Sequence, residues 1–166
     1  MAFTIESSAF IDGGPIPREY TCEGAGASPP LKWSGAPSST RSFALIVDDP
    51  DAPDPHAPQK TWVHWVVYNL PADTASLIAG AAKQGLPRGA AQGLPRGAAQ
   101  GLNDWNHASY GGPCPPIGRH RYVHKLYALD AFLPNSGPPT KAMLLKAMKG
   151  HVLGEAQLIG TYRMGE

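Results

Sequence analysis

Ionisable side chains gather at three places in this 166-residue chain. The first is Asp48-Asp49-Pro50-Asp51-Ala52-Pro53, and the second is His64 inside an apolar run. The third runs from Gly111 to Tyr122 and holds Cys114, Pro115, Pro116, Arg119, His120 and Arg121. Two histidines with two carboxylates suit acid–base hydrolysis. They suit the holding of an anion equally well. His64 and His120 can each donate a hydrogen bond, Tyr122 adds a hydroxyl, and donors in a partly dry cavity bind negative charge. Asp49 and Asp51 then act as acceptors that orient a histidine, pair with Arg121 or meet the ammonium of a zwitterionic head group. Hydrolysis lacks a nucleophile motif, since there is no Gly-x-Ser-x-Gly and Cys114 sits among prolines with no helix start behind it. A metal site lacks any His-x-x-x-His pair. Structural roles compete throughout. Asp-Pro-Asp turns cap their own backbone, a lone buried histidine is usually a satisfied core residue, and Pro115-Pro116 can stiffen a turn, by a cis bond or without one.

The elements that must position these groups are mostly strands. Residues 61–70 are β-branched and aromatic throughout, which predicts a central strand covered on both faces. Period two puts Trp62, His64, Val66 and Tyr68 on one face, with Val63, Trp65 and Val67 on the other. Either Trp62 or Trp65 could wall a cavity, with core packing the commoner role. Residues 2–10, 42–48, 121–129 and 156–162 also read as strands. Four prolines between Asp48 and Pro58 argue against a central strand there. One helix is expected after Pro138-Pro139, capped by Thr140, with a stripe of Met143, Leu144, Ala147 and Met148 and a stop at Gly150. Gln84–Ala91 is repeated without change as Gln92–Ala99. Between Thr74 and Asn103 the only charged residues are Lys83, Arg88 and Arg96. A duplicated surface loop is the expected reading, and a basic lip over an anion site is its rival. The chain is read as a single domain, 1–166, with this repeat in a loop at about 80–103.

Composition narrows the class. The 19 glycines and 18 prolines predict many turns and little helix, and a formal charge of +1 argues against wholesale disorder. Scattered charge gives no footprint for nucleic acid. No apolar run is long enough for a transmembrane helix, and no signal peptide is visible. Cys22 and Cys114 stand 92 residues apart, outside any Cys-x-x-Cys pair, so zinc and redox motifs are absent and a reducing cytoplasm is expected. At this size no disulfide or metal staple is required.

Asp49-Pro50-Asp51-Ala52-Pro53, Trp62-Val63-His64-Trp65, Gly112-Pro113-Cys114-Pro115-Pro116 and His120-Arg121-Tyr122, in this order, resemble the phosphatidylethanolamine-binding protein family. The likeness is to its bacterial and archaeal, Raf-kinase-inhibitor-like branch. Tyr20-Thr21-Cys22, Ser28-Pro29-Pro30-Leu31, Leu102-Asn103-Asp104 and Gly150-His151-Val152-Leu153 support it. The resemblance implies a mostly β fold, an antiparallel Greek-key β-sandwich with a short C-terminal helix. It implies a small anion cavity at one end of the large sheet, lined by Asp49, Asp51, Pro53, His64, Pro115, His120 and Tyr122. Arg121, Pro116 and Gly112 would support it. Catalytic residues, metal and cofactor are not implied. The implied function is binding of phosphate or phosphoethanolamine-like head groups, with a possible role as a kinase or protease inhibitor and as a homodimer. His124 departs from the family, which often has an aromatic there.

Overall fold

The computed structural model describes residues 2–82 and 93–166. Two antiparallel sheets form, as the strand-rich reading expects. The smaller one pairs β1 (Thr4–Glu6), β2 (Leu31–Ser34) and β5 (Ser76–Leu77), with β2 in the middle. The larger one is built from β3 (Ser42–Ala52), β4 (Lys60–Pro71), β6 (Ala99–Gln100), β7 (His120–Leu129) and β8 (Val152–Tyr162), in the order β6-β4-β3-β7-β8. Apolar faces on both sides of β3 and β4 put these strands at the centre. Ile5, Leu31, Trp33 and Leu77 of the small sheet pack against Phe43, Leu45, Trp65 and Val67 of the large one. On the opposite face Ile46, Val66, Tyr68 and Leu129 are covered by Leu144 and Met148 of the helix α1 (Lys141–Met148).

β3 runs on through Pro50 to Ala52, contrary to the expectation that no central strand continues past Asp48, and the other three prolines lie beyond its end. Its pairing with β7 ends at Asp48, and beyond that it bonds to β4 alone, irregularly, between Asp49 and Ala52. Pro50 therefore removes no donor that a second neighbour needs. The strict two-residue alternation also fails in β4. Val47 opposes Trp65 and Asp48 opposes Val63, which leaves His64 as an extra residue, a β-bulge. The bulge moves Val63 to the face of Val66 and Tyr68, while Trp65 and Val67 face the inter-sheet core. A bulged residue bends the strand and re-aims its side chain.

Thr140 caps α1 as expected, its hydroxyl accepting from the Met143 backbone N–H at 3.2 Å. Met143 and Ala147 stay exposed, so only Leu144 and Met148 of the expected stripe are buried. His124 is buried between the sheets, with its ring 5.6 Å from that of Phe10. Burial pulls its pKa down to about 4. No helix among the described residues is long and apolar enough to cross a membrane.

The first copy of the repeat, Gln84–Ala91, lies outside the described residues, as do Lys83 and Gln92. The second copy is not wholly surface. Ala98 and Ala99 are buried, Ala99–Gln100 forms the edge strand β6, and Gln100 accepts from the Trp65 indole at 2.7 Å. Exact duplication nonetheless supplies the same residues twice. Deleting Gln92–Ala99 joins Ala91 to Gln100, so Ala90-Ala91 can take the places of Ala98-Ala99. The deletion is expected to change stability by less than about 1 kcal/mol in chemical denaturation, because loop length costs little closure entropy. A markedly larger loss would show that both copies are needed.

Candidate functional site

A cavity of about 370 Å³ opens at the end of the large sheet where the acidic loop, the bulge of β4 and the start of β7 meet. Asp49, Pro53, His64, Pro115, Pro116, His120 and Tyr122 line it, together with Ala52, Trp62, Trp105 and Cys114. Asp51, expected in the lining, is not part of it, and neither are Arg121 and Gly112.

The acidic loop is held by β7. Asp49 places one carboxylate oxygen 2.6 Å from His120 Nδ1, and the other accepts the Asp51 backbone N–H at 2.7 Å. Asp51 takes a fork from Arg121: the backbone N–H at 2.9 Å, Nε at 3.0 Å and Nη2 at 2.8 Å. Hydrogen bonds from the Arg121 side chain hold the Asp51 carboxyl below the usual carboxylate range. Arg121 thus braces the loop. The loop's cis peptide bond is Ala52–Pro53, and Pro115–Pro116 is trans.

The two histidines are not equivalent. His120 is wholly buried, and its Nε2 lies 2.8 Å from the Ile117 carbonyl while Nδ1 faces Asp49. Both nitrogens meet acceptors inside the protein, so His120 has no donor left for a ligand. This corrects the expectation that both histidines donate into the cavity. His64 uses one nitrogen only. Its Nδ1 lies 2.7 Å from the Gly111 carbonyl, which can only accept, so Nδ1 carries the hydrogen. Burial lowers the His64 pKa, against weaker support from Gly111, Asp49, Asp48 and Asp104.

Trp105, which nothing in the sequence singled out, closes one wall. Asn103 organises its loop, the side-chain oxygen accepting from Trp105 N at 2.9 Å and His107 N at 3.1 Å. The indole lies against Gly111 so closely that a Cβ there would fall 2.2 Å from it. Its ring meets Trp62 at 5.4 Å and His64 at 5.1 Å, both edge-on. Lys60 sits over the Trp62 ring at 5.0 Å. Of the two tryptophans weighed for the wall, Trp62 takes it and Trp65 lies in the core.

Tyr122 is stacked 6.5 Å from His120 and edge-on to His64 at 5.1 Å. Burial pushes its pKa far up, so its hydroxyl stays a donor. Tyr122 OH and Trp62 Nε1 are the buried side-chain polar atoms with no hydrogen-bond partner among the described residues. Both residues line this cavity, with the two polar atoms themselves shielded behind its surface. A hollow of about 380 Å³ beside Ser28 and Tyr110 and another of about 420 Å³ along β7 contain neither.

The cysteines pair, which corrects the reading of them as separate thiols. Cys22 and Cys114 form a disulfide with Cα atoms 5.4 Å apart. It ties the Pro113–Pro116 rim to the turn after Tyr20, where Cys22 N also donates to the Pro113 carbonyl at 3.1 Å. Gly112 is required there, because a Cβ would sit 2.9 Å from the Tyr20 carbonyl oxygen. Disulfides persist in oxidising compartments and in the cytosol of some hyperthermophiles. The cysteines therefore give no support to a reducing cytoplasm. Among the described residues no three His, Cys, Asp or Glu side chains are grouped to hold a metal ion.

A β-sandwich with an aromatic, histidine-bearing cavity at a sheet end defines a known class. The family model for phosphatidylethanolamine-binding protein matches residues 6–163, and the chain belongs to that family. An archaeal relative, the UPF0098 protein of Methanothermobacter thermautotrophicus, is 48% identical, with 97% of this chain and 99% of the relative covered. Among solved structures, the phosphatidylethanolamine-binding protein homolog CT736 of Chlamydia trachomatis matches with a TM-score of 0.84 at 41% identity, covering 98% of this chain and 97% of that one. E. coli YbcL matches with a TM-score of 0.85 at 33% identity, covering 99% of both chains.

Proposed function

We propose that the cavity binds a small oxyanion, phosphate or a phosphorylated head group, and does not transform it chemically. The observation that carries this is the cavity in which His64 keeps one ring nitrogen unpartnered while, just behind the wall, Trp62 Nε1 and Tyr122 OH have no partner among the described residues. An unsatisfied buried polar group costs roughly 1–3 kcal/mol, and a ligand oxygen that reaches it through a small shift of the wall recovers that cost. The groups that hydrolysis would recruit are engaged elsewhere. His120 is bonded at both nitrogens, Asp51 is clamped by Arg121, and Cys114 is in a disulfide. Inhibition of a kinase or protease would act through the rim, where Trp105 and Ile117 stand exposed.

Titration of phosphate followed by NMR at pH 6 tests the proposal. Shifts are expected to cluster at residues 49–53, 62–64, 105 and 114–122. Shifts scattered elsewhere, or none at millimolar phosphate, would sink it, and turnover of a phosphoester would remove its non-catalytic part. Tyr122→Phe is expected to weaken phosphate binding about tenfold while raising the stability of the empty protein by about 1 kcal/mol, since it deletes the unpaired hydroxyl. A variant that loses stability and keeps its affinity would contradict the role given to that hydroxyl.

A further inference from the structure

We propose that this cavity selects oxyanions that carry a hydrogen, such as hydrogen phosphate, over fully ionised ones such as sulfate, and that His64 makes the selection; this rests on the oxyanion reading above. The Gly111 carbonyl fixes the hydrogen of His64 on Nδ1. In the neutral ring Nε2 is therefore a lone pair, unpartnered among the described residues and, unlike Trp62 Nε1 and Tyr122 OH, not shielded from the cavity that His64 lines. Trp62 Nε1 can only donate, and Tyr122 OH is held protonated. The cavity thus presents the His64 acceptor at its surface, with the two donors behind the wall. An ion whose oxygens only accept meets the His64 lone pair with a lone pair of its own. An ion with one O–H donates to it.

A sulfate can enter only if His64 takes up a proton. The groups around the ring bear on that step from every side. β3 contributes Asp48 and Asp49; β7 contributes His120, Tyr122 and His124; the loop before Gly111 contributes Asp104 and Tyr110. The three carboxylates favour the charged ring, yet burial outweighs them and the neutral form is the one held. Asp49, on the cavity wall, also opposes high negative charge on the ligand. Hydrogen phosphate brings its own hydrogen in both of its forms near neutral pH, so its entry needs no such uptake.

Calorimetric titration of the whole protein with sodium phosphate and with sodium sulfate, at matched ionic strength from pH 8 to pH 5.5, tests this. At pH 7.5 phosphate is expected to bind about tenfold or more tighter, a difference of about 1.4 kcal/mol. Sulfate affinity should rise by up to about tenfold per unit as the pH falls, because one proton enters with each ion, and the gap should close. Equal affinities at pH 7.5, or a gap that does not narrow, would overturn the selection while leaving oxyanion binding intact. Binding of neither ion at any pH would instead overturn the oxyanion reading on which the selection rests.

Discussion

Asp49→Ala is expected to destabilise the protein by about 3–5 kcal/mol, because it leaves two buried polar groups without their partner at roughly 1–3 kcal/mol each and opens a void beside them. Its carboxylate is 5% exposed and the His120 side chain 0%. Truncation leaves His120 Nδ1 facing a void and also strips the acceptor from the Asp51 backbone N–H. Asp51→Ala makes the contrast. Its partner, the Arg121 side chain, is 56% exposed and can be hydrated in place, so the side-chain pair contributes only about 1 kcal/mol, and the Arg121 backbone N–H that also loses its acceptor is only part-buried. In a domain of this size the Asp49 loss lowers the melting temperature by roughly 6–20 °C. Denaturation curves of the two variants side by side decide the matter. If Asp49→Ala is no more damaging than Asp51→Ala, the buried pair does not organise the site.

That hierarchy was only partly visible in the chain. The long β-branched, aromatic runs around 42–48, 61–70 and 121–129 announce central strands because both of their faces must be covered. Thr140 announces a helix start because its hydroxyl has one obvious use after two prolines. Residue type also marked His64, His120 and Tyr122 as polar groups in apolar strands. What residue type does not carry is direction. Nothing in Trp-Val-His-Trp signals a bulge, yet the bulge decides where His64 points. His120 and His64 look alike as donors until Asp49 and the Ile117 carbonyl are seen to occupy both nitrogens of one and the Gly111 carbonyl only one of the other. Trp105 belongs to a loop without periodicity, and its place on the wall depends on Gly111 offering a bare backbone to lie against. The cysteine pair escaped for a similar reason. Motif logic weighs local spacing, whereas a disulfide depends on where the fold carries two distant turns.

The disulfide sets the second large effect. Replacing Cys22 and Cys114 together by serine is expected to cost about 2–4 kcal/mol, and the chain-entropy picture gives about 4–5 kcal/mol for a loop of this length as an upper figure. The two cysteines are 92 positions apart, more than half the chain, so the denatured ensemble gains much freedom when the bond is lost. The native rim loses less. Cys22 N still donates to the Pro113 carbonyl, and Gly112 still packs on the Tyr20–Thr21 backbone. The cavity wall should therefore stay docked, with phosphate affinity held within about threefold, under 1 kcal/mol. Both cysteines are exposed, so reductant reaches the bond in the folded protein. The reduced wild type and the double variant should then melt together, below the oxidised wild type. Identical melting of reduced and oxidised protein would show that the cross-link does not stabilise the fold. A tenfold loss of phosphate affinity at unchanged secondary structure would show instead that the bond, rather than the packing of Gly112 and Pro113, holds the rim in place.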